Sequence, residues 1–158
     1  MLPATIEGGN GRLDASIGRA DPATLTRRAA DYESACIDVL WVAGLRGFDG
    51  PSLRGFLVAA TQRAQIGSAI LPFYSRSPAL LGMTAAGVDA LLDGLCILGI
   101  GASGPQVIEG FHGIPFGSPV GRAEKIIEIC RTIWRREPLA GLVPMGCSRR
   151  AGRAGCGR

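Results

Sequence analysis

Apolar residues recur at a three-and-four spacing in four stretches: Leu25, Ala29 and Tyr32; Leu53, Phe56, Leu57 and Ala60; Leu81, Ala85, Val88 and Leu92; Ile126, Ile127, Cys130 and Ile133. That period places each set on one face of a helix. Each stretch is headed by a small residue and a proline: Asp21-Pro22, Gly50-Pro51, Ser77-Pro78 and Ser118-Pro119. Proline in the first turn has no amide hydrogen to leave unpaired, and an Asp or Ser before it accepts a bond from the exposed turn. The pattern therefore predicts four helices. Between them lie continuous apolar runs, Val39 to Ala43, Ile66 to Leu71 and Cys96 to Ile100, with a weaker first strand over Ala4 to Glu7. Runs without alternation suit strands covered on both faces.

Strand and helix thus alternate four times, which predicts an α/β fold with a parallel sheet and right-handed crossovers. The fourth helix should end near Glu137-Pro138, where proline stops it. At 158 residues the chain fits one domain, and it falls short of the ~250 residues typical of a complete (β/α)8 barrel. From Gly141 the periodicity gives way to Gly, Arg, Ala and Cys without any acid. The expected division is a folded domain over 1–140 and a disordered basic tail over 141–158. Such a composition is also what a GC-rich gene read out of frame produces, and a basic interaction tail is the other reading.

Charge adds exclusions. The formal net charge of +4 comes from the tail: without Arg149, Arg150, Arg153 and Arg158, basic and acidic residues balance at 13 each. A neutral body with no basic stripe argues against nucleic acid as a partner. No run reaches the ~20 apolar residues of a membrane span, and the first residues show no signal pattern, so a soluble cytoplasmic protein is expected. The five cysteines form no Cys-x-x-Cys pair and His112 is the only histidine. This favours reduced thiols over a metal centre.

Gly99-Ile100-Gly101-Ala102-Ser103-Gly104 formally matches the G-x-G-x-x-G dinucleotide fingerprint. A long helix should follow such a loop, whereas Pro105, Gly110, Gly113, Pro115 and Gly117 interrupt this one, and Glu124 falls inside a predicted helix rather than at a strand end. The small residues instead allow the backbone of Gly101 to Gly104 to approach a flat ring or phosphate, with Ser103 and Gln106 as hydrogen-bonding groups; an ordinary glycine-rich loop is the plainer alternative. His112 and Glu109 have acid and base chemistry, but a single histidine in such a loop reads as structural. Trp41 reads as core and Arg76 as a surface arginine flanking a helix.

Ser103-Gly104-Pro105-Gln106-Val107-Ile108-Glu109-Gly110-Phe111-His112-Gly113, with Asp38 to Ala43, Gly67 to Pro78 and Arg122 to Pro138, resembles the luciferase-like monooxygenase superfamily, in particular its coenzyme F420-dependent branch. The likeness runs over about residues 30 to 137. It implies a TIM (β/α)8 barrel of bacterial luciferase-like type, here truncated to about four βα units. The implied activity is hydride transfer between the deazaflavin F420 and a small organic substrate. The alternatives are an FMN-dependent monooxygenase using dioxygen, and a catalytically silent fragment that dimerises or associates through the open edge of its half-barrel.

The resemblance also implies site residues. Ala69 and Ile70 would share a cis peptide that backs the ring, and Gly101, Ser103, Gly104, Pro105, Gln106 and Val107 would line the cofactor. No catalytic residue is assigned. Three positions depart from the family pattern: Cys36 stands where glycine is common, Gly44 where an acid is frequent, and Leu95 where arginine is usual.

Overall fold

The computed structural model describes residues 6–8, 12–17, 20–43 and 49–139. The predicted tail over 141–158 and Gly44 lie outside the described residues. In chain order the elements are β1 (Ile6–Gly8), β2 (Arg12–Ile17), α1 (Pro22–Ser34), β3 (Val39–Val42), α2 (Gly50–Val58), β4 (Gln65–Ser68), β5 (Leu71–Pro72), α3 (Pro78–Leu91), β6 (Cys96–Ile97), β7 (Ile100–Gly101), α4 (Pro105–Ile108) and α5 (Pro119–Trp134).

The sheet order is β1-β2-β3-β4-β6, with β5 and β7 forming a second pair. From β2 onward all pairing is parallel, with Leu40 opposite Ile66 and Ile66 opposite Cys96. Helices therefore carry the chain from each strand to the next, as the alternation predicts. The first strand is a correction. Ile6–Gly8 is only the antiparallel partner of Arg12–Ile17, and the latter opens the parallel series. Arg12, Asp14 and Ser16 break up the apolar pattern of that strand, so it does not read as a continuous run.

Three of the four predicted starts cap as expected or close to it. Asp21 accepts from Thr24 N and Ser77 from Leu80 N, each with proline following. In α2 the cap is Asp49, one residue before Gly50, because its carboxylate reaches both the amide and the hydroxyl of Ser52. Ser118 differs: it sits at φ +48° and makes no side-chain cap. The stripes Leu25, Ala29, Tyr32 and Leu81, Ala85, Val88, Leu92 are buried as read. In the other two, Phe56 and Ile127 are exposed, while Arg54 and Ile129 are buried.

Two apolar clusters result. The first joins α1, α2 and the end of α3 to the sheet through Ile17, Leu25, Leu40, Val42, Leu57, Ile66 and Val88. Each such side chain removed from water contributes about 1.5–3 kcal/mol. The second contains Leu71, Phe73, Tyr74, Leu81, Ile108, Ile126 and Cys130. Helix α5 packs on α3 at Gly82, whose missing side chain leaves room for Ile133 and whose carbonyl accepts from Trp134 Nε1 at 3.0 Å.

Candidate functional site

Strands three and four of the parallel series are each interrupted at the same level. The first breaks at Ala69–Ile70, between β4 and β5; the second breaks at Leu98–Gly99, between β6 and β7. Ser68 joins the breaks: its hydroxyl donates to Gly99 O at 2.8 Å and accepts from Gly99 N at 2.9 Å. Only glycine fits opposite it, because a Cβ on Gly99 would stand 1.9 Å from Ser68 O. Pairing resumes beyond the breaks through Leu71 N to Gly99 O and Phe73 N to Gly101 O.

The Ala69–Ile70 peptide is cis, as the resemblance implied. Ala69 donates its amide to Val42 O at 2.9 Å. Ile70 lies against Gly101, where a Cβ would meet Ile70 Cδ1 at 3.0 Å. The first and second groups of predicted residues are thus in contact at the carboxyl ends of neighbouring strands, the end at which βα loops form binding sites in such folds.

From Gly101 the chain turns sharply, with Ser103 at φ +59°. Gly104 then heads the single turn Pro105–Ile108, its carbonyl accepting from Val107 N and Ile108 N. The Gln106 side chain folds back over Gly104, so that a Cβ there would stand 2.9 Å from Oε1. Ala69, Pro105 and Gln106 are exposed; Ile70, Gly101, Ser103, Gly104 and Val107 are half-buried. The short α4 bears out the argument against a dinucleotide fingerprint, which needs a long helix directly after the loop.

Other candidates take structural places. Glu109 Oε1 accepts from Phe116 N at 3.1 Å, and His112 stands edge-on to Phe111. Arg76 pairs with Asp49, tying the loop after β5 to the start of α2. Burial works to raise the Asp49 pKa, but bonds from Ser52 and the charge of Arg76 outweigh it and hold the carboxyl below its ordinary value. Trp41 is half-buried rather than deep core, with its ring lying across Gly67.

The sequence reading missed Ser68. Its signal was a hydroxyl inside an apolar run, aligned with a glycine in the next strand. A groove of about 670 Å³ lies between the starts of α1 and α2, lined by Pro22, Leu25, Ser52, Leu53 and Phe56. Another of about 440 Å³ lies between α3 and α5, lined by Tyr74, Ser75, Arg76 and Arg122. Among the described residues no group of three or more His, Cys, Asp or Glu side chains is placed to hold a metal ion. No helix among them is long and apolar enough to cross a membrane.

Comparison with known proteins supplies the rest. The family model for luciferase-like monooxygenases matches residues 4–141. A Mycobacterium tuberculosis protein named for coenzyme F420-dependent oxidoreduction is 34% identical over 120 residues, covering 76% of this chain and 35% of that protein. The chain therefore spans about a third of the length of that curated relative. Among solved structures, the coenzyme F420-dependent tetrahydromethanopterin reductase of Methanopyrus kandleri superposes with a TM-score of 0.65 at 18% identity, covering 77% of this chain and 39% of its own. The oxygenating constituent of 3,6-diketocamphane monooxygenase from Pseudomonas putida, in complex with FMN, gives 0.62 at 20% identity, covering 72% and 35%. These likenesses show the fold, a luciferase-like TIM barrel represented here in part.

Proposed function

We propose a function from one premise: the chain belongs to the luciferase-like monooxygenase family, a family of oxidoreductases. On that premise, the surface formed by Ala69, Ile70 and the loop from Gly101 to Val107 holds the ring of coenzyme F420, and the reaction is hydride transfer to a small organic substrate. The observation that carries this reading is the contact of Ile70 with Gly101 at the carboxyl ends of paired strands. Support for the deazaflavin comes from the Mycobacterium tuberculosis relative.

The residues fit such a group. Ile70 offers an apolar support, and the absence of a side chain at Gly101 keeps that support clear. Ser103 and Gln106 supply a hydroxyl and an amide for polar ring edges, and Pro105 and Val107 add apolar wall. When bound, the deazaflavin would supply the hydride; this chain orients the ring and limits water on the shelf side.

Titration of the purified chain with F420 and, separately, FMN tests the reading. Binding of F420 in the micromolar range is expected, followed by cofactor fluorescence. Gly101→Val, which drives a branched side chain into Ile70, should weaken it about tenfold, or ~1.4 kcal/mol. The FMN-bound Pseudomonas putida neighbour favours a second reading, a flavin monooxygenase. FMN binding with oxygen consumption would establish that one instead. A folded chain that binds neither cofactor would sink both and mark the chain alone as silent.

A further inference from the structure

Arg54 is the one fully buried cation among the described residues, and it has no carboxylate in contact. Helix α2 points it at the start of the fourth parallel strand. There Nη2 donates to Cys96 Sγ at 2.6 Å and, at 3.4 Å each, to the carbonyls of Ile66 and Ile97. Nε and Nη1 are buried with no partner. Guanidinium stays charged in proteins, and a buried charge without a counter-charge costs several kcal/mol. The guanidinium therefore has no anion in contact among the described residues, and the one group touching it that is able to become one is sulfur.

Cys96 is also reachable. It lines a cavity of about 420 Å³ with Ala85, Asp89, Leu98, Trp134 and Arg136, roomy enough for a molecule the size of water or peroxide. We infer that Cys96 is a peroxide-modified thiol, and that Arg54 holds the anionic sulfenate product through the N–H groups now left without partners. In the step, the thiolate sulfur attacks one oxygen of hydrogen peroxide. The S–O bond forms as the O–O bond breaks, and the proton on the transferred oxygen leaves with the departing hydroxide as water. Sulfur loses two electrons and peroxide is reduced.

Two forces act on the thiol before reaction. Burial pushes its pKa up and is the larger, while Arg54 opposes it; Asp89, whose carboxylate accepts the Cys96 amide, adds to the rise. The thiolate fraction thus grows with pH, under the opposed influences of Arg54 from α2 and Asp89 from α3, while Arg136 beyond α5 lines the same cavity. The internal control is Cys130, buried where Cys96 is half-buried, whose thiol is raised by burial alone and whose Sγ contacts Pro78 O at 3.6 Å.

The test is dimedone labelling of the full chain after hydrogen peroxide, resolved by peptide mass mapping. Cys96 should label faster than Cys130, with a rate that rises between neutral and mildly alkaline pH. Arg54→Met should cut labelling at Cys96 about tenfold, because the charge that favours its thiolate and holds its sulfenate is gone, without changing Cys36. Arg54→Lys, which keeps the charge, should retain part of it. Circular dichroism reports whether each variant folds. If Arg54→Met does not fold, the Cys96 to Cys130 ratio in the unaltered chain and the Arg54→Lys variant decide. Equal labelling of Cys96 and Cys130, or no difference between the unaltered chain and a folded Arg54 variant, overturns the inference.

Discussion

Below the two strand breaks the first cluster is aliphatic apart from Tyr32, and in it Leu40, Val42, Leu57 and Ile66 are completely buried, locked between sheet and helices. Above them the second cluster turns aromatic. Phe73, Tyr74 and Phe116 follow one another with centroids 5.2 and 5.0 Å apart, and Arg122 lies 4.5 Å over the Tyr74 ring. The Tyr74 hydroxyl donates to Gly117 O and accepts from Gly117 N, so this cluster holds a loop by polar ends as well as by packing. The contrast separates a scaffold from a surface able to serve a ligand. Binding loops are drawn from the less protected parts of a fold, and the proposed cofactor residues all lie at or above the breaks.

The largest effect should come from the lower cluster. Ile66→Ala removes a fully buried side chain from the middle of the sheet, and should cost about 2–5 kcal/mol in urea denaturation, with amide protection falling throughout the chain. Ile108, also fully buried, belongs to the upper cluster. Ile108→Ala should strip hydrogen-exchange protection from residues 104–117 while β3 and β4 keep theirs. If both substitutions lower protection everywhere alike, the two clusters are one cooperative unit and the division fails.

Next in size is Tyr74→Phe, which keeps the ring and removes a hydroxyl that serves both backbone groups of Gly117. A loss of about 1–2 kcal/mol is expected from the two unmet partners. Its signature should again be local, with faster exchange at Gly117 and little change at Ile66. Global unfolding with uniform exchange would mean that the upper cluster supports the scaffold rather than resting on it.

The same division explains what the chain disclosed in advance. Helix starts at Asp21 and Ser77 and the stripes behind them were legible because capping chemistry and the helical period are local. The lower strands showed as apolar runs since both faces are covered. Arg54 was invisible inside its stripe: periodicity marks a face, not the sulfur and carbonyls that face meets. The run at Ala4 to Glu7 marked a strand over part of β1, but its antiparallel pairing and the polar β2 were hidden because pairing partners are chosen by tertiary context. Above the breaks, residue types alone left Gly101 to Gly104 as either an ordinary loop or a ring contact. Family likeness points to Ala69–Ile70 and the loop together, and in the fold Ile70 lies on Gly101. Ser68 and Gly99 required the alignment of two strands, which spacing along one strand does not contain.

A smaller stabilising change is expected at the edge of the scaffold. Cys36 occupies φ +59° after α1, a left-handed conformation that costs a side chain roughly 1–2 kcal/mol and glycine almost nothing. Glycine also loosens the unfolded chain, by about 0.4–1 kcal/mol. Cys36→Gly should therefore raise stability by about 0.5–1 kcal/mol, the difference between the two. Thermal melting under reducing conditions measures it. A drop would show that the Cys36 side chain contributes packing that outweighs its backbone cost.

The smallest effect is a pH dependence in the scaffold. Glu33 ends α1, and its Oε1 accepts three successive amides, Gln62 N at 2.9 Å, Arg63 N at 2.7 Å and Ala64 N at 2.8 Å, at the turn into β4. Burial acts to raise its pKa, but the amide bonds from Ala64, Arg63 and Gln62, with the Arg63 charge, bring it below the ordinary glutamate value. A carboxyl whose folded pKa is depressed contributes fully above its unfolded pKa, and the contribution drains away as pH falls through the folded value. Stability should thus decline on the acid side of the ordinary glutamate range. Glu33→Gln should flatten that limb while lowering stability at neutral pH by a modest amount, since an amide oxygen accepts the same bonds without charge. An unchanged acid limb in the variant would show that another carboxylate sets it; Asp49, also depressed but sited at the start of α2, would then be the group to remove, which would place the acid-sensitive joint beside the loop after β5 instead of at the foot of β4.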